Sequence, residues 1–246
     1  MYSIRRAHMR FEILNKLIWE NEMLVDLIRG NHSMIEILAG VFASLFVVFC
    51  TLPFHEYAHA FVATKLGDQT ARLSGRLSLN PMRHIDPLGA LMIVLVGFGY
   101  AKPVPVNFRN FKNRKVGMAL TALAGPAANI LMALVFLLCK NIVLLFPTEN
   151  ILVLALAYFF IFAASINVGL AVFNLLPIPP LDGSRVLQLL IPSKYYVKFM
   201  QYERYVVIVV FVLLLTGVLS RPLGYLQTAV YHGLDTLVSF PFRGVR

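Results

Sequence analysis

Long apolar runs separated by short polar segments dominate the pattern of this chain. The first run covers residues 37–54, and a helix over it rises about 27 Å, close to the hydrocarbon thickness of a bilayer. Ser33 and Glu36 stand just before it with the S-x-x-E spacing of a capping box, so we expect the helix to begin there. Two further long runs, at about 116–146 and 151–176, predict two more spanning helices.

The region between the first two long runs is less regular. Residues 67–81 alternate between polar and apolar positions, which predicts two short strands. The apolar run 88–100 is short for a spanning helix and predicts a re-entrant loop or a tilted half-span. In residues 99–107, Pro103 and Pro105 lack N–H donors and hold the backbone extended. We therefore expect a small membrane-associated sheet or re-entrant loop in this region.

The two ends of the chain predict helices of a different kind. Residues 11–28 mix large apolar side chains with charged ones, which is typical of a helix lying in the membrane interface. After the last long run, residues 205–219 predict a further span, and residues 223–242 are a weaker candidate. The predicted fold is an all-α polytopic membrane protein with about four to six transmembrane helices and a small β-sheet or re-entrant loop. Its parts are an N-terminal amphipathic arm (1–33), a core (34–220) and a C-terminal helix that could add a span (221–246).

The composition agrees with a membrane protein. Hydrophobic residues make up 59% of the 246 residues, charged residues make up 14%, and the mean hydropathy is +0.73. Soluble domains are about 45–50% apolar and about 25% charged. The net charge of +10 would suit nucleic acid, but no basic stripe interleaved with aromatic residues occurs, so no nucleic-acid partner is expected. Lys and Arg concentrate in residues 65–115 and 185–204, which we expect to share the cytoplasmic face.

The cysteines and the N-terminus do not indicate a secreted, disulfide-stabilised fold. Cys50 and Cys139 both lie inside apolar runs, so we expect buried thiols rather than a disulfide. The first residues contain charged side chains and no apolar core before a cleavage site, so they do not form a signal peptide.

The segment FHEYAH places three titratable side chains in a nearly apolar helix. His55 and His59 are four residues apart, so on a helix their imidazoles point the same way and could bind one zinc ion. Glu56 is rotated by about 100° from His55, where it borders the metal without ligating it and could accept a proton from water. This spacing indicates a zinc hydrolase.

A catalytic zinc needs a third protein ligand, which must come from elsewhere in the chain. Asp182 is the best candidate, because it lies in FNLLPIPPLDG, where prolines end an apolar helix and the irregular backbone must face protein or water. The alternative is that Asp182 caps the following helix. Asp86, in HIDPLG, is the second candidate ligand and could equally be a turn or cap residue. His84 has no metal-ligand spacing and is expected to be a structural hydrogen-bonding residue.

The ordered set of motifs closely resembles the site-2 proteases, intramembrane zinc metallopeptidases of the M50 class. The motifs are HEYAH, LNP, HIDPLG, GYAKPVPVN, AGPAAN and NLLPIPPLDG, and the resemblance covers about residues 35–190. It implies a compact prokaryotic member without an inserted PDZ domain or a CBS domain. It also implies Zn²⁺ as the cofactor, His55, His59 and Asp182 as its ligands, and Glu56 as the catalytic acid and base.

The resemblance also implies roles for two asparagines. Asn174 would steady the substrate carbonyl or its oxyanion, and Asn129 of GPAAN would face the site or the substrate backbone. An alternative role for Gly125 and Asn129 is close helix packing through small residues and an interhelical hydrogen bond.

A transmembrane substrate must unwind before cleavage, and its freed backbone then needs hydrogen-bond partners. Lys102, Pro103, Val104 and Pro105, which we call the proline loop, could offer an edge to which the substrate adds as a strand, with the strands predicted at 67–80. The resemblance implies single-span membrane proteins as substrates, such as an anti-sigma factor or a signal-peptide remnant. We expect a multi-pass protein of the inner (cytoplasmic) membrane, in contact with the lipid bilayer, with the site nearer the cytoplasmic face.

Three other functions could use the same residues. A membrane metal-ion carrier could use His55, His59 and Asp182 as a transport site, although the chain has one broken region without a counterpart in a second repeat. A pseudoprotease that only holds substrates would most simply have lost Glu56. A zinc hydrolase acting on lipids or small amides would differ only in its substrate.

Overall fold

The computed structural model describes residues 33–96, 101–192, 194–195 and 201–242. Its α-helices are α1 (Met34–Phe46), α2 (Leu52–Lys65), α3 (Thr70–Leu73), α4 (Pro87–Val96), α5 (Arg114–Val143), α6 (Ile151–Asn174), α7 (Asp182–Leu187), α8 (Glu203–Leu215) and α9 (Ser220–Ser239). A π-helical segment joins α1 to α2, and single 3₁₀ turns occur at Pro81–Arg83, Phe108–Asn110 and Phe240–Phe242. The predicted N-terminal arm, apart from Ser33, lies outside the described residues.

Three of the described helices are long and apolar enough to cross a membrane. They are the continuous helix Met34–Lys65, α5 and α6. The capping box predicted at the start of the first one is confirmed, because the Ser33 hydroxyl accepts the Glu36 N–H at 3.4 Å and the Glu36 carboxylate accepts the Ser33 N–H at 3.2 Å. The predicted further spans correspond to α8, which has 13 residues, and α9. The total of four to six spans therefore stays a prediction.

The two strands predicted at 67–81 are wrong: this segment forms turns, the short helix α3 and the 3₁₀ turn that begins at Pro81. Gly67 adopts a left-handed conformation (φ +107°) that turns the chain directly after α2. The carboxylate of Asp68 then accepts the N–H of Thr70 at 3.1 Å, which starts α3. Two of the apolar positions that suggested strands, Ala71 of α3 and Leu77 of the turn that follows, pack inward against Val104.

The helix bundle is built on close contacts between α5, α6 and the helix Met34–Lys65. Alanines are fully buried where these helices meet, which lets the backbones approach closely. They are Ala43, Ala60, Ala122, Ala133, Ala163 and Ala164. Larger side chains such as Phe162 and Leu137 fill the remaining space in the same cluster. The bundle therefore brings α2 and α5 side by side along their length.

The C-terminal end of α2, the N-terminal part of α5 and the C-terminal end of α6 lie at the same end of the bundle. α2 contacts α5 and α5 contacts α7, while Gly183 of α7 lies against the carbonyls of Leu175 and Leu176, which directly follow α6. The basic segments that follow α2, precede α5 and follow α6 therefore lie at one end of the molecule. Both cysteines are free thiols; Cys50 is exposed and Cys139 is half-buried, so the absence of a disulfide is confirmed and their full burial is not.

Candidate metal centre

The two imidazoles lie on α2, directly after a break in the regular α-helix. Val47–Thr51 forms a π-helical segment in which the Thr51 hydroxyl donates to the Val47 carbonyl at 3.2 Å. Pro53 occupies the first turn of α2 and lacks the N–H that would donate to a carbonyl of the π-helical segment before it. Single π-helical turns are frequent at functional sites. α2 then continues in regular α geometry, so His55 and His59 lie one turn apart on the same face.

The Nε2 atoms of His55 and His59 and the Oδ2 atom of Asp182 converge on one point. The two nitrogens are 3.0 Å apart, and the carboxylate oxygen lies 3.5 Å from His55 and 3.2 Å from His59. Ligands of a tetrahedral zinc ion at about 2.0–2.2 Å are about 3.3–3.5 Å from one another. Among the described residues, these three form the group of side chains that could hold a metal ion.

The hydrogen bond of His59 turns its second ring nitrogen towards the other two side chains. Nδ1 of His59 lies 2.7 Å from the carbonyl oxygen of Thr121 on α5. A carbonyl can only accept, so Nδ1 carries the proton and a neutral His59 presents a lone pair at Nε2. That lone pair faces the carboxylate of Asp182 and the ring nitrogen of His55. Three electron-pair donors in contact repel one another unless a proton or a metal ion lies between them, and among metal ions zinc suits two imidazoles with a carboxylate.

Asp182 reaches the imidazoles because the chain turns back after α6. The turn contains Pro177 and the cis peptide bond between Pro179 and Pro180, and Asp182 is the first residue of α7. The alternative that Asp182 caps this helix is wrong: Leu181 is the N-cap residue, and it makes no side-chain capping bond.

The second candidate ligand, Asp86, does not belong to the metal centre. Its carboxylate accepts the N–H groups of Leu88 at 3.0 Å and Gly89 at 3.1 Å, so it caps α4. His84 is confirmed as a structural hydrogen-bonding residue, since its Nε2 lies 2.6 Å from the carbonyl of Ser78. Burial lowers the pKa of His84 below its ordinary value, and its ring is neutral at pH 7.

Gly125 of α5 forms the wall opposite the two imidazoles. A Cβ atom at this position would lie 2.3 Å from Nε2 of His59 and 2.6 Å from Nε2 of His55. The missing side chain at Gly125 therefore makes room for the metal ligands themselves, beyond any role in helix packing. The missing side chain of Gly183 likewise lets α7 pack against the chain after α6, because a Cβ there would lie 2.2 Å from the carbonyl oxygen of Leu175.

Glu56 lies beside the centre and does not belong to the metal-binding group. It is 7% exposed, and its Oε2 accepts the N–H of Val104 at 3.2 Å. The structure thus brings the proline loop, which is distant in sequence, directly to Glu56. The loop is held from its other side by Arg76, whose guanidinium donates to the carbonyls of Lys102 and Pro103.

The two asparagines form no hydrogen bond with His55, His59 or Asp182 in the described part of the chain. Asn129 is 1% exposed and lies one helical turn after Gly125, on the same face of α5. Its side-chain amide has no hydrogen-bond partner among the described residues. Asn174 is half-buried and is the last residue of α6, directly before the backbone that packs against Gly183.

Sequence reasoning missed Thr121 and Arg76. Thr121 acts through its backbone carbonyl, which any residue would supply, so its identity carries no signal. Arg76 lies in a segment that predicted a strand, where an arginine suggests a solvated side chain. The spacing of Thr121 and Gly125, four residues apart on α5, was the one available hint that a single helix face meets the imidazoles.

A buried pair of histidines and a carboxylate, with a glutamate at their side and apolar helices around them, defines a zinc metalloprotease of the membrane. The model of peptidase family M50 matches residues 140–217. A Bacillus subtilis (strain 168) protein named as a candidate zinc metalloprotease, YwhC, is 42% identical over 164 residues, which cover 66% of this chain and 75% of that protein. The chain belongs to peptidase family M50.

Two more distant relatives carry the same kind of name. Rip2 of Mycolicibacterium smegmatis is 31% identical over 179 residues, covering 70% of this chain and 66% of its own length. MJ0611 of Methanocaldococcus jannaschii is 32% identical over 153 residues, covering 59% of this chain and 69% of its own length. Both are named as candidate zinc metalloproteases. No solved structure matches the chain.

Proposed function

We propose that this protein is an intramembrane endopeptidase that hydrolyses peptide bonds within or next to transmembrane segments of single-span membrane proteins. The observation that carries the proposal is the convergence of His55, His59 and Asp182, with Glu56 beside them, among helices apolar enough to span a membrane. A centre in that position acts on a polypeptide that enters the bundle from the lipid.

The proposed catalytic role of each side chain follows from its contacts. Zinc, when bound by His55, His59 and Asp182, polarises a carbonyl group and lowers the pKa of a water molecule. Glu56 is not needed as a ligand, so its carboxylate accepts the proton of the attacking water and passes it to the leaving amine. Asn174, at the end of α6, donates to the developing oxyanion.

The proline loop and Asn129 bind the substrate backbone in this proposal. A helix that unwinds in lipid exposes amide groups that need partners. The contact between Val104 and Glu56 supports the loop as the binding edge, because a substrate strand along residues 102–105 would lie next to the catalytic carboxylate. Since the Val104 N–H already donates to Glu56, such a strand would pair with the loop through its carbonyl groups. The buried amide of Asn129, which has no partner among the described residues, can both donate to and accept from a substrate backbone.

The proposed substrates are single-span proteins such as an anti-sigma factor or a signal-peptide remnant, so the activity would be regulated intramembrane proteolysis. The proposed location is the inner (cytoplasmic) membrane, because basic segments lie at the end of the bundle that holds the site. The core of residues 34–220 would carry the catalysis, and α9, within residues 221–246, would add a membrane helix.

The test uses Glu56→Gln with Glu149→Gln as the matched control, since Glu149 is exposed in the loop before α6. Cleavage of a purified single-span substrate should fall about 10²–10⁴-fold in Glu56→Gln and stay unchanged in Glu149→Gln. Zinc content by elemental analysis should be the same in both, whereas Asp182→Ala should lower it. Continued cleavage by Glu56→Gln would refute the proposed role.

The same variant identifies substrates and separates the protease from a metal carrier. Single-span fragments should accumulate in the membrane fraction of cells that carry Glu56→Gln, and proteomics would detect them. A carrier would instead move zinc into sealed vesicles, and cells that carry Glu56→Gln would not accumulate single-span fragments.

A further inference from the structure

Hydrogen bonds on both sides of the proline loop hold its backbone in one position. The Lys102 N–H donates to the carbonyl of His84 at 2.7 Å. Nη2 of Arg76 donates to the carbonyl of Lys102 and, at 3.1 Å, to the carbonyl of Pro103. Within the described part of the chain the guanidinium of Arg76 makes no other hydrogen bond, and its buried Nε has no partner. Arg76 is therefore committed to this loop.

Val104 offers the sole N–H group within residues 103–105, because both neighbours are prolines. That N–H donates to Oε2 of Glu56 at 3.2 Å, and both residues are more than nine-tenths buried. Residues 103–105 therefore cannot supply a second donor if the backbone shifts. The position of one carboxylate oxygen of Glu56 depends on where the loop is held.

We propose that Arg76 is a positioning residue for the catalytic carboxylate: it holds the backbone of Lys102 and Pro103 so that the Val104 N–H fixes the Glu56 side chain. The inference rests on the proposed role of Glu56. The cationic charge of Arg76 also lies close enough to Glu56 for the two to interact electrostatically. A carboxylate held by a buried N–H stays in one orientation, whereas a released one samples others in which proton transfer fails.

The experiment compares Arg76→Gln and Arg76→Lys with Arg72→Gln. Arg72 is an exposed arginine on α3 and serves as the matched control for the loss of positive charge. Cleavage of a purified single-span substrate, zinc content and Tm would be measured for each. We expect Arg76→Gln to lower kcat about 10-fold to 100-fold, with KM within about threefold of wild type and zinc content unchanged. Arg76→Lys should recover part of kcat, because an ammonium group also donates to carbonyls.

A double-mutant cycle tests whether Arg76 acts through Val104. Val104→Pro removes the N–H, and Val104→Ala, which retains it, is the reference for the cycle. If Arg76 acts through this bond, Arg76→Gln should lower kcat by less than about twofold in the Val104→Pro protein. In the Val104→Ala protein it should lower kcat by the full factor of about 10 to 100. If Val104→Pro does not fold, the comparison of Arg76→Gln with Arg76→Lys decides alone.

Several results would overturn the proposal. The proposal fails if Arg76→Gln has the kcat of wild type, changes KM alone, or loses activity in proportion to a loss of zinc or a drop in Tm. It also fails if Arg76→Gln and Arg76→Lys lower kcat equally, or if the effects of Arg76→Gln and Val104→Pro on kcat multiply. These results leave the proposed function intact as long as Glu56→Gln is inactive and wild type cleaves. If Glu56→Gln keeps its activity, the proposed function and the role of Arg76 both fail.

Discussion

At the residue scale, the metal centre depends on one position without a side chain. Gly125 faces the ring nitrogens of His55 and His59, and α5 can approach α2 this closely only because no Cβ intervenes. The carbonyl of Thr121, one turn earlier on α5, sets the orientation of the His59 ring. A single helix face thus supplies both the space for the ligands and the orientation of one of them.

Gly125→Ala should abolish metal binding. The new methyl group would lie under 3 Å from the imidazole nitrogens, so either the rings turn away or α5 moves. We expect zinc content below about a tenth of wild type, because the ligands lose their common point. The control is Gly233→Ala on α9, where a Cβ meets nothing within 4 Å. Wild-type zinc content in Gly125→Ala, measured by elemental analysis, would contradict the geometry.

Asp68 anchors the segment that follows the proline loop. Its carboxylate accepts the N–H of Asn107 and the side-chain amide of Asn110, both at 2.7 Å, as well as the hydroxyl and N–H of Thr70. Burial by itself raises the pKa of Asp68, but the hydrogen bonds outweigh it and hold the pKa below the ordinary value of an aspartate.

This lowered pKa predicts a pH-dependent contribution to stability. A carboxyl whose folded pKa lies below its unfolded pKa of about 3.9 stabilises the fold above that pH, and the contribution disappears as the pH falls towards the folded pKa. The Tm of wild type in detergent should therefore exceed that of Asp68→Asn at pH 7, and the difference should shrink below about pH 4. Loss of zinc in acid affects both proteins and cancels in the comparison. A difference that is constant from pH 7 to pH 3 would exclude this role.

At the scale of elements, α9 docks onto α5 and α6 with both polar and apolar side chains, since Leu234 and Val238, among others, pack against the core. Gln227 donates to the carbonyl of Ser165 at 3.0 Å, and Asp235 forms an ion pair with Lys140. Tyr231 lies between them along the helix and is buried. The exposed side chains of α9 include Tyr225, Leu226, Leu237 and Phe240, which follows its last turn. Polar contacts between helices, with large apolar side chains on the exposed side, are typical of a helix in contact with lipid.

Asp235→Ala should detach this helix. Lys140 is 3% exposed, and removal of one partner from a buried ion pair costs about 3–5 kcal/mol, whereas replacement of both by apolar residues costs less. Because Asp235 is partly exposed, we expect the lower end of that range. Lys140→Met combined with Asp235→Leu should have a higher Tm in detergent than Asp235→Ala alone. Thr236→Ala, at an exposed neighbouring position, is the control and should match wild type.

At the scale of the whole molecule, the surface of the bundle is apolar where a soluble protein would be polar. Large apolar side chains are exposed along the helix Met34–Lys65, α5 and α6, including Phe42, Phe49, Leu131, Leu152 and Leu156. Contiguous exposed apolar surface of this extent indicates contact with lipid. Basic residues of the described part of segment 65–115 lie at the end of the bundle near the candidate metal centre, and from the positive-inside rule we predict that this end faces the cytoplasm.

Cysteine accessibility tests this orientation. Lys112→Cys lies in the exposed segment before α5, and Glu149→Cys lies in the exposed loop between α5 and α6. In intact cells a membrane-impermeant maleimide should label Glu149→Cys, and it should label Lys112→Cys only after the membrane is opened. The parent protein with its own Cys50 and Cys139 sets the background. The reverse labelling pattern would place the metal centre at the outer face.

The sequence by itself determined what depends on neighbours along the chain. The apolar lengths predicted the three long helices, Ser33 and Glu36 predicted the first helix start, and His55 and His59 had to share a face because a helix repeats every 3.6 residues. The position of Glu56 beside the two imidazoles followed from the same geometry. These predictions hold because helical hydrogen bonds join residues four apart, whatever the rest of the fold does.

Only the tertiary structure decided what depends on packing between distant segments. Asp182 and Asp86 were both open as the third ligand, and the turn after α6 brings Asp182 against the two imidazoles while Asp86 caps α4. The alternation in residues 67–81 predicted strands, but Ala71 and Leu77 pack inward from a short helix and a turn, and alternation does not distinguish these cases. The contacts of Gly125 with the imidazoles and of Arg76 and Val104 with Glu56 arise where helices and loops meet, since side-chain identity along a chain does not specify which segments approach each other.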